Sequence, residues 1–274
     1  NLDLRLGFDL CSEEKDFICK RKKVVAAALK NVLHLDEDLE EDEVPVVAVV
    51  TAAGGVRSMT AMFGSLLALQ DLGVLDCVSY ITGLSATTCY QCCFITLLIL
   101  KYKQARMILN VFVQQKSQSL YSLNSASALK CFSKFTLRYC SKSMHHVHVF
   151  TMTSALCKQE STHKLSDQQL AVNEGQNPLP IYLSLNVKDD FSTLDFKEWV
   201  EFTPYEVGLL KYGAFVRSED FGSEFFMGHR MKKIPESHIC FLEGTWSNIF
   251  SQSFMDAVYL SGHSEHCWHR WTRD

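Results

Sequence analysis

The chain has 274 residues, 47% hydrophobic and 21% charged, the profile of a globular protein long enough to bury one large core. Its net charge of -4 excludes a nucleic-acid binder that works by bulk positive charge, and the longest apolar run, residues 89–100, is too short to span a bilayer. Eleven cysteines lie mostly in apolar runs such as Cys92-Cys93-Phe94-Ile95, and residues 1–23 are dense in charge where a signal peptide would be apolar; both point to reduced thiols in a cytosolic protein.

The chain opens on Asn1 and reads as an excerpt. Ser12 is a candidate N-cap, followed by Glu13, Glu14 and Asp16, so a helix is predicted from 13 to about 33, interrupted by Lys20-Arg21-Lys22-Lys23. Residues 36–43 carry seven carboxylates in eight positions. Phosphate or metal binding is one reading of that run, and a solvated connector is the favoured one. Residues 44–51 form a β-branched run suited to a strand buried on both faces. Ala52-Ala53-Gly54-Gly55-Val56-Arg57 follows, then a helix predicted over 58–72. A second strand over 77–82 runs into Gly83-Leu84-Ser85-Ala86-Thr87-Thr88 and a further predicted helix. Strand, glycine loop, helix, strand and sharp turn make an α/β unit with a parallel pair. Residues 77–158 hold no Asp or Glu and nine Lys or Arg. That bias fits a basic membrane-facing surface or sequence foreign to the ancestral fold. Further on, 180–187 reads as a strand, while 201–204 and 221–226 read as loop-rich aromatic packing segments.

The turn at Ser85 is the strongest chemical signal. A serine hydroxyl needs a base to take its proton, and a strand-to-helix turn lifts the oxygen to where a substrate reaches it. Gly54 and Gly55, at another strand's exit, suit backbone donation to an oxyanion because they carry no Cβ. A tight turn explains the same glycines without catalysis. Arg57 could hold a phosphate with its planar fork at a helix start; a surface salt bridge is the equal alternative.

The segment from Asn1 to Thr88 resembles the opening of the group IV cytosolic phospholipase A2 catalytic domain. The likeness rests on Leu2-Asp3-Leu4-Arg5-Leu6-Gly7-Phe8-Asp9, on Gly54-Gly55-Val56-Arg57-Ser58-Met59-Thr60, and on Tyr80-Ile81-Thr82-Gly83-Leu84-Ser85. It resumes with Asn177-Pro178-Leu179-Pro180-Ile181-Tyr182, Phe196-Lys197-Glu198-Trp199, Gly222-Ser223-Glu224-Phe225-Phe226-Met227-Gly228 and Phe241-Leu242-Glu243-Gly244-Thr245-Trp246, with a tail similar to the delta and epsilon members. The resemblance implies a patatin-like α/β fold, a central largely parallel sheet flanked by helices, truncated before the dyad aspartate. It divides the chain into a nucleophile-bearing unit (1–88), an atypical basic insert or replaced segment (89–170) and a cap or packing region (171–274).

By the same resemblance Ser85 is the nucleophile of a Ser-Asp dyad that forms an acyl-enzyme. Gly54 and Gly55 form the oxyanion hole, and Arg57 holds the substrate phosphate. The substrate is a membrane glycerophospholipid, and the acyl group passes to water or to the amine of phosphatidylethanolamine. The protein is expected in the cytosol, peripheral on membranes, with no nucleic-acid partner. No cofactor is expected in this chain, and calcium would act only through a C2 domain outside it. The alternative is a catalytically inactive lipid-binding fragment or splice form.

The chain departs from the family at three places. Ala86 stands where the family has glycine, straining the turn by roughly 1 kcal/mol if the backbone there demands glycine. Residues 89–158 do not resemble the family's continuation. The dyad aspartate has no match in the chain, Asp256-Ala257 being only superficially similar, and is expected beyond Asp274. Cys89, Cys92 and Cys93, the cluster His263, His266, Cys267 and His269, and His145, His146 and His148 are read as packed or incidental rather than metal ligands.

Overall fold

A computed structural model describes residues 2–54, 56–85, 87–88, 91, 163–186 and 198–246. Helix α1 (Ser12–Leu33) is continuous through the basic cluster, where Lys20, Arg21 and Lys22 each have their own partner. Lys20 pairs with Asp16 at 3.0 Å and donates to the Asn173 carbonyl, Lys22 donates to the Glu41 carbonyl, and Arg21 turns inward, fully buried. The N-cap is Cys11 in extended conformation, not Ser12, whose hydroxyl donates to Glu13 instead. At the other end His34 adopts a left-handed φ of 54° and its N–H donates to the Lys30 carbonyl. The acidic run that follows is an exposed connector, tied back where Lys30 meets Asp38 at 2.6 Å.

Strand β2 is shorter than predicted, Ala48–Val50, and it is not buried on both faces: Val50 is 78% exposed and Val46 and Val47 are also exposed. Among the described residues it pairs only with β3 (Tyr80–Leu84), in parallel, so it forms an edge of the sheet. Between them lies α2 (Val56–Asp71) and a 3-10 turn over Leu75–Cys77. The short helix α3 (Gln169–Val172) precedes β4 (Leu179–Asn186), which pairs parallel to β3.

Three further strands continue the sheet: β5 (Glu198–Phe202), β6 (Glu206–Leu209) and β7 (Ala214–Arg217). The strand β1 (Arg5–Leu6) closes its far side, giving the order β1-β7-β6-β5-β4-β3-β2. The expectation of a largely parallel sheet is overturned here. Only β2 with β3 and β3 with β4 run parallel; β4–β5, β5–β6, β6–β7 and β7–β1 are antiparallel. The reason is chain length between strands. A parallel neighbour needs a crossover of a dozen residues or more, which α2 supplies. The links from β5 to β6 and from β6 to β7 are single turns and permit only reversal. The segments 201–204 and 221–226 are accordingly not loops throughout, since they hold the end of β5 and β8 (Glu224–Phe226), which pairs with β9 (His229–Lys232) in a separate hairpin.

Two apolar clusters hold the layers together. One gathers Phe17 of α1, Met62 and Leu66 of α2, Ile81 of β3 and Leu179 of β4. The other packs Tyr182, Phe202 and Val207 of the sheet against Ile239, Leu242 and Trp246 of α4 (Ile239–Trp246). Trp246 stacks on Tyr182 with ring centroids 4.3 Å apart, and its edge meets Phe202.

Three polar groups interact under α1. The Tyr80 hydroxyl donates to Glu14 at 2.8 Å. Burial, reinforced by the charge on Glu14, pushes the Glu201 carboxyl up to about 7. Burial raises Glu14 as well, against the lowering effect of its Tyr80 bond. A carboxyl raised in the folded state holds its proton there when the unfolded chain has already released it. Stability is therefore full below the ordinary glutamate range, near 4.5, and is lost as pH rises towards about 7. Glu201→Gln is expected to flatten that slope and to stabilise the protein at pH 8 by on the order of 1 kcal/mol, allowing for partial solvent screening. Identical denaturation profiles for the two proteins from pH 4 to pH 8 would refute this.

Candidate active site

The parallel pair β2–β3 sets up the site. Val50 pairs with Thr82, so both strands leave the sheet at the same edge, with Gly54 four residues beyond one and Ser85 three residues beyond the other. Ser85 has a φ of +60°, a left-handed conformation that costs a non-glycine residue about 1–2 kcal/mol. The chain turns there from strand into helix, and the Ser85 carbonyl accepts from the N–H of Thr88 at 3.0 Å and from the Thr88 hydroxyl.

Glycine is required two residues earlier. A Cβ at Gly83 would sit 3.0 Å from Thr88 Cα and 3.1 Å from its Cγ2, and would collide with the Gln91 carboxamide oxygen. The missing side chain lets the segment after Ser85 lie directly on β3, where Gln91 donates to the Ile81 carbonyl at 2.6 Å. Gly54 is similarly confined. A Cβ there would approach Ser58 Cβ to 2.7 Å at the start of α2, besides striking the Ser58 hydroxyl.

Three threonines tie the two strand exits together. The Thr51 hydroxyl donates to the Thr82 carbonyl at 2.5 Å, and the Thr51 N–H donates to the Thr82 hydroxyl at 3.2 Å. Thr51 Oγ1 also lies 3.0 Å from Thr87 Oγ1, which accepts from the Leu84 N–H at 2.9 Å. Sequence reasoning missed this network, and its only signal was the density of hydroxyls around Ser85.

The sequence predicted a serine oxygen that a substrate can reach, and the residue that carries it is 3% exposed. The turn that presents it is formed, but the residue is covered. Among the described residues no carboxylate or imidazole is hydrogen-bonded to the Ser85 hydroxyl. Gly54 is brought to the same sheet edge. Gly55 and Ala86 lie outside the described residues. Arg57 falls in the first turn of α2, and its side chain is outside the described set, as are the cysteines and histidines 89, 92, 93, 145, 146, 148, 263, 266, 267 and 269, the acid-free stretch beyond 91, and Asp256. Among the described residues no group of three His, Cys, Asp or Glu is placed to hold a metal ion, and no helix is long and apolar enough to cross a membrane.

Comparison with known proteins extends the picture. The lysophospholipase catalytic domain family matches residues 149–269. Cytosolic phospholipase A2 epsilon of Homo sapiens is 50% identical over 287 aligned positions, which cover 100% of this chain and 32% of that protein. The solved structure of human GIVD cytosolic phospholipase A2 superposes with a TM-score of 0.81 at 48% identity, covering 91% of this chain and 34% of that one. A second structure, of human GIVD cytosolic phospholipase A2 in complex with methyl gamma-linolenyl fluorophosphonate, gives 0.78 at 44% identity, covering 95% of this chain and 37% of that one. The chain spans about a third of the length of the relatives it matches. Identity of this order over an alignment that covers the whole chain, with a TM-score of 0.81 to a solved relative, settles the ancestry: the chain belongs to the group IV cytosolic phospholipase A2 family and spans part of its patatin-like catalytic domain.

Proposed function

We propose that the protein is a serine acyl hydrolase of the phospholipase A2 type, acting on glycerophospholipids at membrane surfaces in the cytosol. The observation that carries this reading is the left-handed turn at Ser85, formed at the end of a central parallel strand beside the exit of its neighbour. Relatives named cytosolic phospholipase A2 support the substrate class and the location. Ser85 Oγ attacks the acyl carbonyl, forming an O–C bond as its proton passes to a base, and the ester C–O bond breaks with release of the lysophospholipid, which takes up that proton. Water then cleaves the acyl-enzyme, and transfer to the amine of phosphatidylethanolamine is the competing outcome. The base is assigned to a dyad aspartate outside the described residues. Gly54 and Gly55 are assigned to the oxyanion and Arg57 to the phosphate of the substrate. One preorganised backbone donor contributes about 3–4 kcal/mol in a transition state of this kind. Calcium, if used, would act through a C2 domain outside residues 1–274.

The 3% exposure of Ser85 favours a second reading, a lipid-binding form without turnover. A long-chain alkyl fluorophosphonate presented in phosphatidylcholine vesicles separates the two. Mass spectrometry of the digested protein is expected to find one phosphonyl adduct, on Ser85, while untreated protein releases fatty acid from the phosphatidylcholine. Vesicle binding with neither adduct nor release decides for the second reading.

A further inference from the structure

We propose that Thr87, latched to Thr51, is the positioning residue that fixes the Ser85 turn against the loop carrying Gly54. The proposal rests on Ser85 being the nucleophile, and its test is built to fail separately from that reading.

The ladder between β2 and β3 ends at Val50 and Thr82, so regular backbone pairing does not reach either proposed site residue. Beyond that point the spacing of the two exits depends on side chains. Thr87 spans the turn: its hydroxyl oxygen lies 2.9 Å from both the N–H and the carbonyl of Leu84, the residue immediately before Ser85. Thr51 spans the strands, with its own hydroxyl on the Thr82 carbonyl and its oxygen 3.0 Å from Thr87. Each hydroxyl has one proton and two acceptor sites. The consistent assignment has Thr51 donating to the Thr82 carbonyl, Thr87 accepting from the Leu84 N–H, and the Thr87 proton directed to Thr51 or to the Leu84 carbonyl. Every group in the chain of bonds is then satisfied.

The setting makes the latch rigid. Thr87 is 1% exposed and Thr88 is fully buried, so water is not at hand to replace a lost partner. A valine at 87 would keep the shape and leave the Leu84 N–H buried without an acceptor, a state the backbone relieves by shifting. The shift falls on the residue next to the nucleophile. Displacement of a reacting group by about 1 Å costs on the order of 100-fold in rate. The latch therefore controls where the Ser85 oxygen stands relative to the Gly54 loop, and Thr87 acts through Ser85 rather than on the lipid.

The test compares Thr87→Val, Thr87→Ser, Thr51→Val and the double variant Thr51→Val/Thr87→Val with wild type and Ser85→Ala. Hydrolysis of phosphatidylcholine vesicles is expected to show kcat reduced about 10- to 100-fold in Thr87→Val with KM unchanged. Thr87→Ser, which keeps the hydroxyl, should stay close to wild type, and the double variant should lose little beyond the worse single one, because both act through one contact. A full wild-type kcat in folded Thr87→Val overturns the proposal. Activity retained by Ser85→Ala overturns the reading of the nucleophile, and the latch with it. Amide hydrogen exchange at Leu84 gives an answer independent of turnover. It should quicken in Thr87→Val and not in Thr87→Ser, and equal exchange in both also overturns the proposal.

Discussion

Ser85→Gly is expected to stabilise the protein while abolishing the hydrolytic activity proposed for it. Serine at 85 is held at φ +60°, where its Cβ crowds the following carbonyl, and glycine adopts that conformation without penalty. Relief of this strain should raise stability by roughly 1 kcal/mol, read as a higher midpoint in urea at unchanged slope. Removal of a nucleophile that works as a unit with its base and oxyanion donors costs on the order of 10^3- to 10^6-fold in kcat. Opposite movements of stability and rate are the signature of a residue kept strained for its chemistry. Ser85→Ala separates the two effects, because alanine keeps the Cβ and so the strain, and should lose the rate without gaining the stability. If Ser85→Gly were less stable than wild type, the turn would not be storing strain and this interpretation would be wrong.

Arg21→Met is expected to cost about 4 kcal/mol of folding stability. The guanidinium is fully buried and donates to four carbonyls. Nε and Nη2 reach the Val78 carbonyl at 2.9 and 2.7 Å, Nη1 reaches that of Gly175 at 2.8 Å, and Nη2 those of Asp76 at 3.1 Å and Leu75 at 3.4 Å. Burial lowers its pKa, opposed by the nearby charge of Asp76. Methionine fills much of the volume and leaves those carbonyls without their donor, in a place water does not reach. Arg21→Lys should recover only part of the loss, since a single ammonium cannot span a fork aimed at Gly175 on one side and Val78 on the other. Denaturation midpoints for the three proteins decide the matter, and wild-type stability in Arg21→Met would show that the carbonyls have other partners.

The two cases also show what was legible beforehand. Ser85 could be found because its signal is local: an apolar strand, then Gly83-Leu84-Ser85, with all the constraints inside a few residues. Arg21 could not, because it stands among Lys20, Lys22 and Lys23 and differs from them only in facing the segments 75–78 and 175, more than fifty residues away. The latch was hidden for the same reason, since Thr51 and Thr87 are brought together by strand pairing 32 positions apart in register. The antiparallel half of the sheet escaped notice because β5, β6 and β7 are five, four and four residues long. Their charged members interrupt any alternation: Glu198 bonds Tyr212 and Lys211, and Glu206 receives Arg5. The burial of Ser85 had no sequence signature at all.

Among the described residues strand β2 has β3 as its one neighbour, so its outer backbone, beside the exposed Val50, is a template for a second copy to pair onto. The seven carboxylates of 36–43 stand immediately upstream of it. Two such edges approaching each other would bring like charges together before any ladder could form, and that repulsion weakens with salt and with acid. Carboxylates in that position oppose self-pairing of a valine edge, as gatekeeper charges do.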